Sequence, residues 1–226
     1  YVPNHLRVYT HNGVLLSGWE DLPWFYESFS KPALGDIDND GKNNLVSANL
    51  QGEVKAYYDT GEVFWRHSIQ ELSFIYGAPV LSDINRDGKL EVIYGSSNSK
   101  LYVLSYFGEV LWSKATIGSI MSTPAVGDIN NDGSKEIVVG SYDKPTKEYK
   151  IYIFEDDGNY YIPPISVDLG ITSANGRYGR ESSPALADLD KDGSLEIILG
   201  FPDGSVGVWN KDGSLIWKFD SYLSVY

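Results

Sequence analysis

The chain has 226 residues, 22% of them charged and 42% hydrophobic, which describes a folded protein of one large domain or two small ones. It has no cysteine, so disulfides, a cysteine nucleophile and thiolate metal sites are excluded. Its net charge of -13 argues against binding a nucleic-acid backbone and suits cations, and its apolar runs are far too short to cross a bilayer.

Tyr1 begins the chain and Met121 is its one methionine, so the chain reads as a processed or excised piece of something longer. Residues 6–10, the turn His11-Asn12-Gly13 and residues 14–19 read as a β-hairpin, with apolar positions flanking a Gly turn. An aromatic stretch follows, with Trp24, Phe25, Tyr26 and Phe29. Then comes Pro32-Ala33-Leu34-Gly35-Asp36-Ile37-Asp38-Asn39-Asp40-Gly41, followed by strand-like runs at 45–46 and 54–58, the turn Asp59-Thr60-Gly61 and Val63-Phe64-Trp65. After a connection holding Phe74, Ile75 and Tyr76, the same pattern restarts at Pro79. It runs through Asp83-Ile84-Asn85-Arg86-Asp87-Gly88, strands at 91–94 and 101–104, the turn Tyr106-Phe107-Gly108 and Val110-Leu111-Trp112. A third copy starts at Pro124 and includes Asp128-Ile129-Asn130-Asn131-Asp132-Gly133, strands at 136–139 and 151–154, and the turn Asp156-Asp157-Gly158. No clear fourth strand leaves that turn. Instead a long connection runs from 160 to 183, with Tyr160, Tyr161, Arg177, Tyr178 and Arg180. The fourth copy starts at Pro184 and includes Asp188-Leu189-Asp190-Lys191-Asp192-Gly193, strands at 196–199 and 206–209, the turn Lys211-Asp212-Gly213 and Leu215-Ile216-Trp217. Residues 221–226 read as the start of a further strand.

The copies begin 47, 45 and 60 residues apart, a period shared by propeller blades and two-helix repeats. Short apolar runs, Gly hairpins and the lack of any long helical periodicity decide for strands. The expected fold is all-β, a single β-propeller domain of four-stranded antiparallel blades. Full blades are expected over 31–70, 78–116, 123–168 and 183–220, with a half blade over 1–22. Four and a half blades make no obvious ring, so the C-terminal strand, the rest of a larger chain or another copy must close it.

The chemistry lies in the acidic loops. Oxygen-bearing side chains recur at loop positions 1, 3, 5 and 9, with Gly at 6. The sets are Asp36, Asp38, Asp40 and Asn44; Asp83, Asn85, Asp87 and Glu91; Asp128, Asn130, Asp132 and Glu136; and Asp188, Asp190, Asp192 and Glu196. Position 7 (Lys42, Lys89, Ser134, Ser194) would lend a backbone carbonyl. All-oxygen ligation with several carboxylates suits a hard cation, Ca²⁺ above all, and up to four ions are expected. Thirteen of the 31 acidic residues lie in these sets, and the other eighteen match the 18 basic residues. The ligand carboxylates therefore match the chain's net charge in number. The first loop is the weakest, because Asn44 replaces an acid.

The Pro-Ala-Leu-Gly-Asp-Ile-Asp-Asn-Asp-Gly pattern, leading into a strand, resembles the FG-GAP/VCBS repeat of integrin α-subunit-type β-propellers. The resemblance implies calcium in the loop joining the first two strands of each blade. The endings Trp65, Trp112 and Trp217 also resemble tryptophan-docking repeats of quinoprotein-like propellers, and these residues are expected to pack. Family members include adhesion receptors, lectins and domains of polysaccharide-degrading enzymes. The expected role is an extracellular or cell-surface binding or adhesion module with structural calcium. Its partner would be a glycan or protein on the face opposite the metal loops, read by Trp24, Phe25, Tyr26, Tyr76, Tyr160, Arg177, Tyr178 and Arg180. The alternative is an accessory or catalytic, lyase-like domain acting on polysaccharide. No catalytic motif supports it, and Glu20, Asp21, Glu27, Asp143, Asp168 and Glu181 pair by no spacing, so the chain is not expected to be an enzyme. His5, His11 and His67 are scattered and expected at the surface.

Overall fold

The computed structural model describes residues 5–19, 22–23, 30–69, 73–168, 182–201 and 204–220. Among them there is no α-helix. Among the described residues no helix is long and apolar enough to cross a membrane.

The strands form four antiparallel sheets of four, each in sequence order, as a propeller requires. The first sheet holds β3 (Ala33–Gly35), β4 (Asn44–Ala48), β5 (Glu53–Tyr57) and β6 (Val63–Ser68). The second holds β7 (Val80–Ser82), β8 (Glu91–Ser96), β9 (Lys100–Leu104) and β10 (Val110–Ala115). The third holds β11 (Ala125–Gly127), β12 (Glu136–Asp143), β13 (Glu148–Phe154) and β14 (Ile165–Val167). The fourth holds β15 (Ala185–Ala187), β16 (Glu196–Gly200), β17 (Val206–Trp209) and β18 (Leu215–Phe219). Ahead of them, β1 (His5–Leu6) pairs with β2 (Leu22–Pro23), and Tyr9 bridges Leu15.

β14 completes the full blade expected over 123–168, with Ile165 paired to Ile151, and corrects the reading of 160–183 as one long connection. It was hidden because it is three residues long and carries no Trp.

The first strands lie side by side, β3 against β7, β7 against β11 and β11 against β15. The cores lie between sheets and explain the strand patterns. Val92 and Tyr94 of β8 face the first sheet's Val46, Val54 and Ala56. Ile93, between them, faces the third sheet's Ile137 and Val139. Alternate residues point to opposite faces of a strand, so a strand buried on both faces is apolar throughout. Burying one such Ile or Val stabilises the fold by about 1.5–3 kcal/mol. Val138, Ile151 and Ile153 pack in turn on Ile197 and Leu199 of the fourth sheet. Trp19, with Leu6, Val8 and Leu16, packs on Leu45 and Tyr57.

Candidate functional site

The loop between the first and second strands of each sheet has one repeated geometry. The Gly at position 6 takes φ of 84–90° in Gly41, Gly88, Gly133 and Gly193. Position 4 is also left-handed: Asn39 at 60°, Arg86 at 63°, Asn131 at 61° and Lys191 at 66°. Two left-handed residues curl the loop so that positions 1, 3 and 5 face inward. The strain at position 4 was not legible from Arg86 or Lys191, because only Asn is enriched there.

Hydrogen bonds hold the curl. At position 1, Asp36 accepts the N–H of Asp40 (3.0 Å) and Gly41 (2.8 Å). Asp128 accepts those of Asp132 (3.0 Å) and Gly133 (2.8 Å), while Asp83 and Asp188 accept Gly88 N–H and Gly193 N–H at 3.1 Å. At position 5, Asp40, Asp87, Asp132 and Asp192 each accept the N–H of position 7 at 2.7–2.8 Å. At position 3, Asn85, Asn130 and Asp190 accept the N–H of position 5.

Position 9 anchors the loop to the sheet. Glu91, Glu136 and Glu196 accept the N–H of Ile84 (3.0 Å), Ile129 (2.8 Å) and Leu189 (2.7 Å). Asn44 does the same for Ile37 at 3.0 Å through its amide oxygen. All four are buried, Glu136 completely at 0% exposure. The second oxygen of Glu136 has no hydrogen-bond partner, and neither do Oδ1 of Asp38 and Oδ1 of Asp83, all buried. Burial raises the Glu136 carboxyl to about 7, against the Ile129 hydrogen bond, and the charges of Asp132, Glu155 and Asp128 add to it. Burial likewise raises Asp38 and Glu91. Ligand oxygens of Asp36, Asp38 and Asp40, and of Asp188, Asp190 and Glu196, lie within 4.8 Å of one another. Asp38 is the residue common to the orphaned oxygens and the converging sets; both features, close carboxylates and unpaired buried oxygens, fit a hard divalent cation.

The loops also touch their neighbours. Leu90 N–H donates to the Ile37 carbonyl at 3.1 Å and Leu195 N–H to that of Ile129 at 2.9 Å. Arg86 of the second loop donates to Ser134 of the third. Each loop shares its end of the sheet with the hairpin between the third and fourth strands, as antiparallel order dictates. Lys42 pairs with Asp59 at 3.3 Å, Lys89 lies 3.6 Å above the Tyr106 ring, and Lys211 donates to Ser194 at 2.7 Å.

The expected partner-binding residues separate in the structure. Tyr76 lies at the opposite end from the metal loops. Its ring sits 5.9 Å from that of exposed Phe74, whose N–H donates to Ser97 in the turn between β8 and β9. Tyr160 is instead on the metal-loop end. It bridges Phe154 just after the Gly158 turn, with its ring 5.3 Å from that of Phe154. The expectation misassigned Tyr160 to the long connection because β14 was not recognised. Trp24, Phe25, Tyr26, Arg177, Tyr178 and Arg180 lie outside the described residues, as do Glu20, Asp21, Glu27 and Glu181. Asp143 accepts from Thr146 Oγ1 at 2.6 Å in a local turn. His67 is half-buried rather than superficial, beside the stacked rings of Tyr94 and Tyr102.

The tryptophans define how sheets join. Trp19 Nε1 donates to the Asp59 carbonyl at 3.0 Å, Trp65 to that of Tyr106 at 2.7 Å and Trp112 to that of Asp156 at 2.9 Å. Each acceptor is the second residue of the next Gly turn. A Cβ on Gly108 would stand 2.7 Å from the Trp65 ring, and one on Gly158 would stand 2.9 Å from Trp112. In the third sheet Ile162 and Ile165 cover Gly213 instead. Trp217 departs from the expected packing role, since its ring is 47% exposed.

Successive four-stranded sheets with an oxygen-lined loop at one end of each define a β-propeller with candidate cation loops. The FG-GAP-like repeat model matches residues 36–94, 83–139 and 128–199, and the chain belongs to that family. No curated protein matches the sequence. Among solved structures, BBS1N in complex with ARL6DN is 13% identical with a TM-score of 0.60, over 91% of this chain and 61% of that one. BamB from Moraxella catarrhalis is 15% identical with a TM-score of 0.54, over 84% and 50%. The PilY1 C-terminal domain of Pseudomonas aeruginosa is 19% identical with a TM-score of 0.56, over 75% and 38%. The chain thus spans 38–61% of the length of these structures, and the likeness is one of fold.

Proposed function

We propose that this chain is a calcium-stabilised propeller segment that works outside the cell or at its surface as a binding or adhesion module for a glycan or protein. Buried carboxylate oxygens without hydrogen-bond partners carry the calcium reading, with Oε1 of Glu136 foremost. Position 1, 3, 5 and 9 oxygens and the position 7 carbonyl would hold the ion: Asp36, Asp38, Asp40, Lys42 and Asn44 in the first loop, and their counterparts in the other three. The ion would neutralise repelling carboxylates and, by binding only the folded state, stabilise the sheets. Millimolar extracellular calcium fills even weak sites of this type, which favours an external location.

The rigid sheets would then present the opposite end to a partner. The exposed Phe74 ring beside Tyr76 supports stacking on a sugar or a side chain. At the level of fold, the similar BBS1N propeller, which is seen in a complex, supports partner binding. No reaction is assigned to the chain. Calorimetric titration with Ca²⁺ after chelation should give exothermic or endothermic saturable binding with a matched rise in melting temperature. A flat titration would refute the calcium role. Saturable signal on a glycan array, lost in Phe74→Ala, tests the partner reading separately, and assay for unsaturated uronate products tests the absence of lyase chemistry.

A further inference from the structure

The side chain at loop position 4 reaches across to the following loop. Asn39 of the first loop brings its Nδ2 to 3.9 Å from where a Cβ on Gly88 of the second would stand. Asn131 of the third loop comes to 3.4 Å from the matching point on Gly193 of the fourth. Arg86 of the second loop makes the same crossing with a charge. Its guanidinium donates to Ser134 Oγ, at position 7 of the third loop. The space over Gly133 itself is open, with nothing within 4 Å of a Cβ there.

The joint between the second and third loops differs in another way. At the two flanking joints a position 8 N–H donates to the preceding loop's position 2 carbonyl, Leu90 to Ile37 and Leu195 to Ile129. Among the described residues no such bond joins Lys135 to Ile84. Lys135 Nζ donates instead to Ser82 Oγ at 3.0 Å. Two cationic side chains thus bridge these loops where a backbone bond bridges the others.

Local preference does not explain Arg86. A φ of 63° costs a residue other than Gly, Asn or Asp about 1–2 kcal/mol. Arg86 is exposed, so core packing offsets none of it. Its surroundings are electrostatic. Asp132, a ligand-set residue of the third loop, accepts the Ser134 N–H at 2.7 Å. That bond above all holds the Asp132 carboxyl below its ordinary pKa; Asn130 adds to the effect, and the Arg86 guanidinium acts in the same direction. The guanidinium therefore lies within electrostatic reach of a third-loop carboxylate.

We propose that Arg86 is a tethered cation that sets the affinity of the third loop for its divalent ion. The inference rests on the calcium reading of the loops. In the empty loop the guanidinium offsets part of the repulsion among Asp128, Asp132 and Glu136. Against a bound ion it is a like charge, so it weakens binding there. The neutral Asn131 exerts no such effect on the fourth loop.

A calcium titration of the isotope-labelled full chain after chelation, followed by NMR at the Gly133 and Gly193 amides, reads the third and fourth loops separately. Arg86→Gln removes the charge and keeps a hydrogen-bond donor. At low salt it should lower the Gly133 midpoint roughly three- to tenfold, the size expected of one charge beside a divalent ion near the surface, and leave the Gly193 midpoint in place. Salt at about 0.5 M should shrink the difference. Arg86→Lys, which keeps the charge, should stay near the wild type. In chelator at low salt Arg86→Gln should melt below the wild type, and in calcium that gap should close or reverse. An unmoved Gly133 midpoint in Arg86→Gln overturns the proposal, as does a shift of the same size in Arg86→Lys. Wild-type Gly133 and Gly193 amides that both ignore calcium overturn the calcium reading with it, so the two failures are told apart.

Discussion

Asn44 and Glu136 both accept the N–H of the residue at position 2, at 3.0 and 2.8 Å, and both are buried. They differ in what is left over. Glu136 keeps a second oxygen with no partner, whereas Asn44 has one neutral oxygen, which the Ile37 N–H and any cation must share, and beside it an amide donor. Asn44→Glu should therefore keep the anchoring bond and add a ligand. Calcium affinity of the first loop is expected to rise roughly tenfold, because charge count tunes such sites. Titration calorimetry comparing the two chains measures it, and superimposable isotherms would argue against ligation at position 9. His67 allows a prediction of another kind. Burial beside Tyr94 and Tyr102 lowers its pKa below the ordinary value, so the folded state disfavours the imidazolium. The unfolded chain then binds more protons as pH drops through about 6.5. Stability is fully present above that value and declines as pH falls towards the folded pKa. Melting temperatures across this range should slope down on acidification, and His67→Phe should flatten the slope by the His67 share.

At the scale of elements, the hairpin between third and fourth strands does two jobs. Its register shifts between Ala56 and Tyr57, between Val110 and Trp112, and between Val208 and Trp209. Such bulges re-aim the strand that follows, and in the first two cases Trp65 and Trp112 reach the next turn. Trp65→Ala should cost about 3–5 kcal/mol, the usual range for a buried aromatic. Gly108→Ala should cost about 1–2 kcal/mol for its left-handed φ alone, and more from the clash with the ring. The double mutant should cost less than the two combined, because the added methyl then meets empty space. Denaturant melts of the four proteins form the cycle; strict additivity would mean that ring and turn do not interact. This joint was half legible in the sequence. The recurrence of Trp and Gly was plain, and so was the strand pattern, since strands buried on both faces leave continuous apolar runs. What each Trp touches was not, because its partner lies about forty residues further on in the next sheet. The metal loops were legible for the same reason in reverse: all their ligands fall within nine residues, so spacing alone places them. β14 was missed because Ile162 and Ile165 do the work of the missing Trp with no motif of their own. Arg86 and Lys191 concealed their left-handed backbone, since neither residue type signals it.

Across the whole molecule the four loops lie in a row at one end, tied by Leu90 to Ile37, Arg86 to Ser134 and Leu195 to Ile129. Residues 36–44, 83–91, 128–136 and 188–196 carry 13 acidic and 5 basic residues, a net -8 of the chain's -13. Without a cation, carboxylates repel within each loop and between neighbours, and the buried oxygens of Asp38, Asp83 and Glu136 stay unpaired. Filling a site to a hundred times its dissociation constant stabilises the fold by about 2.7 kcal/mol, so several filled sites amount to much of a typical domain's total stability. Chelation should therefore lower the melting temperature markedly and reversibly. Salt separates the sources of that loss. Raising ionic strength screens exposed charges and should recover part of it in the chelated protein. The same salt should do little or nothing for the calcium-loaded protein, whose loop charges are already neutralised. It cannot supply partners to the buried oxygens, so recovery should stop short of the calcium-loaded value. Magnesium should fall between, since it prefers a smaller octahedral shell and gives up water reluctantly. Calorimetric scans in chelator, chelator with salt, magnesium and calcium would order these four states. A chelated protein that salt restores completely would reduce the loops to a surface-charge effect, with no ligation at the buried oxygens.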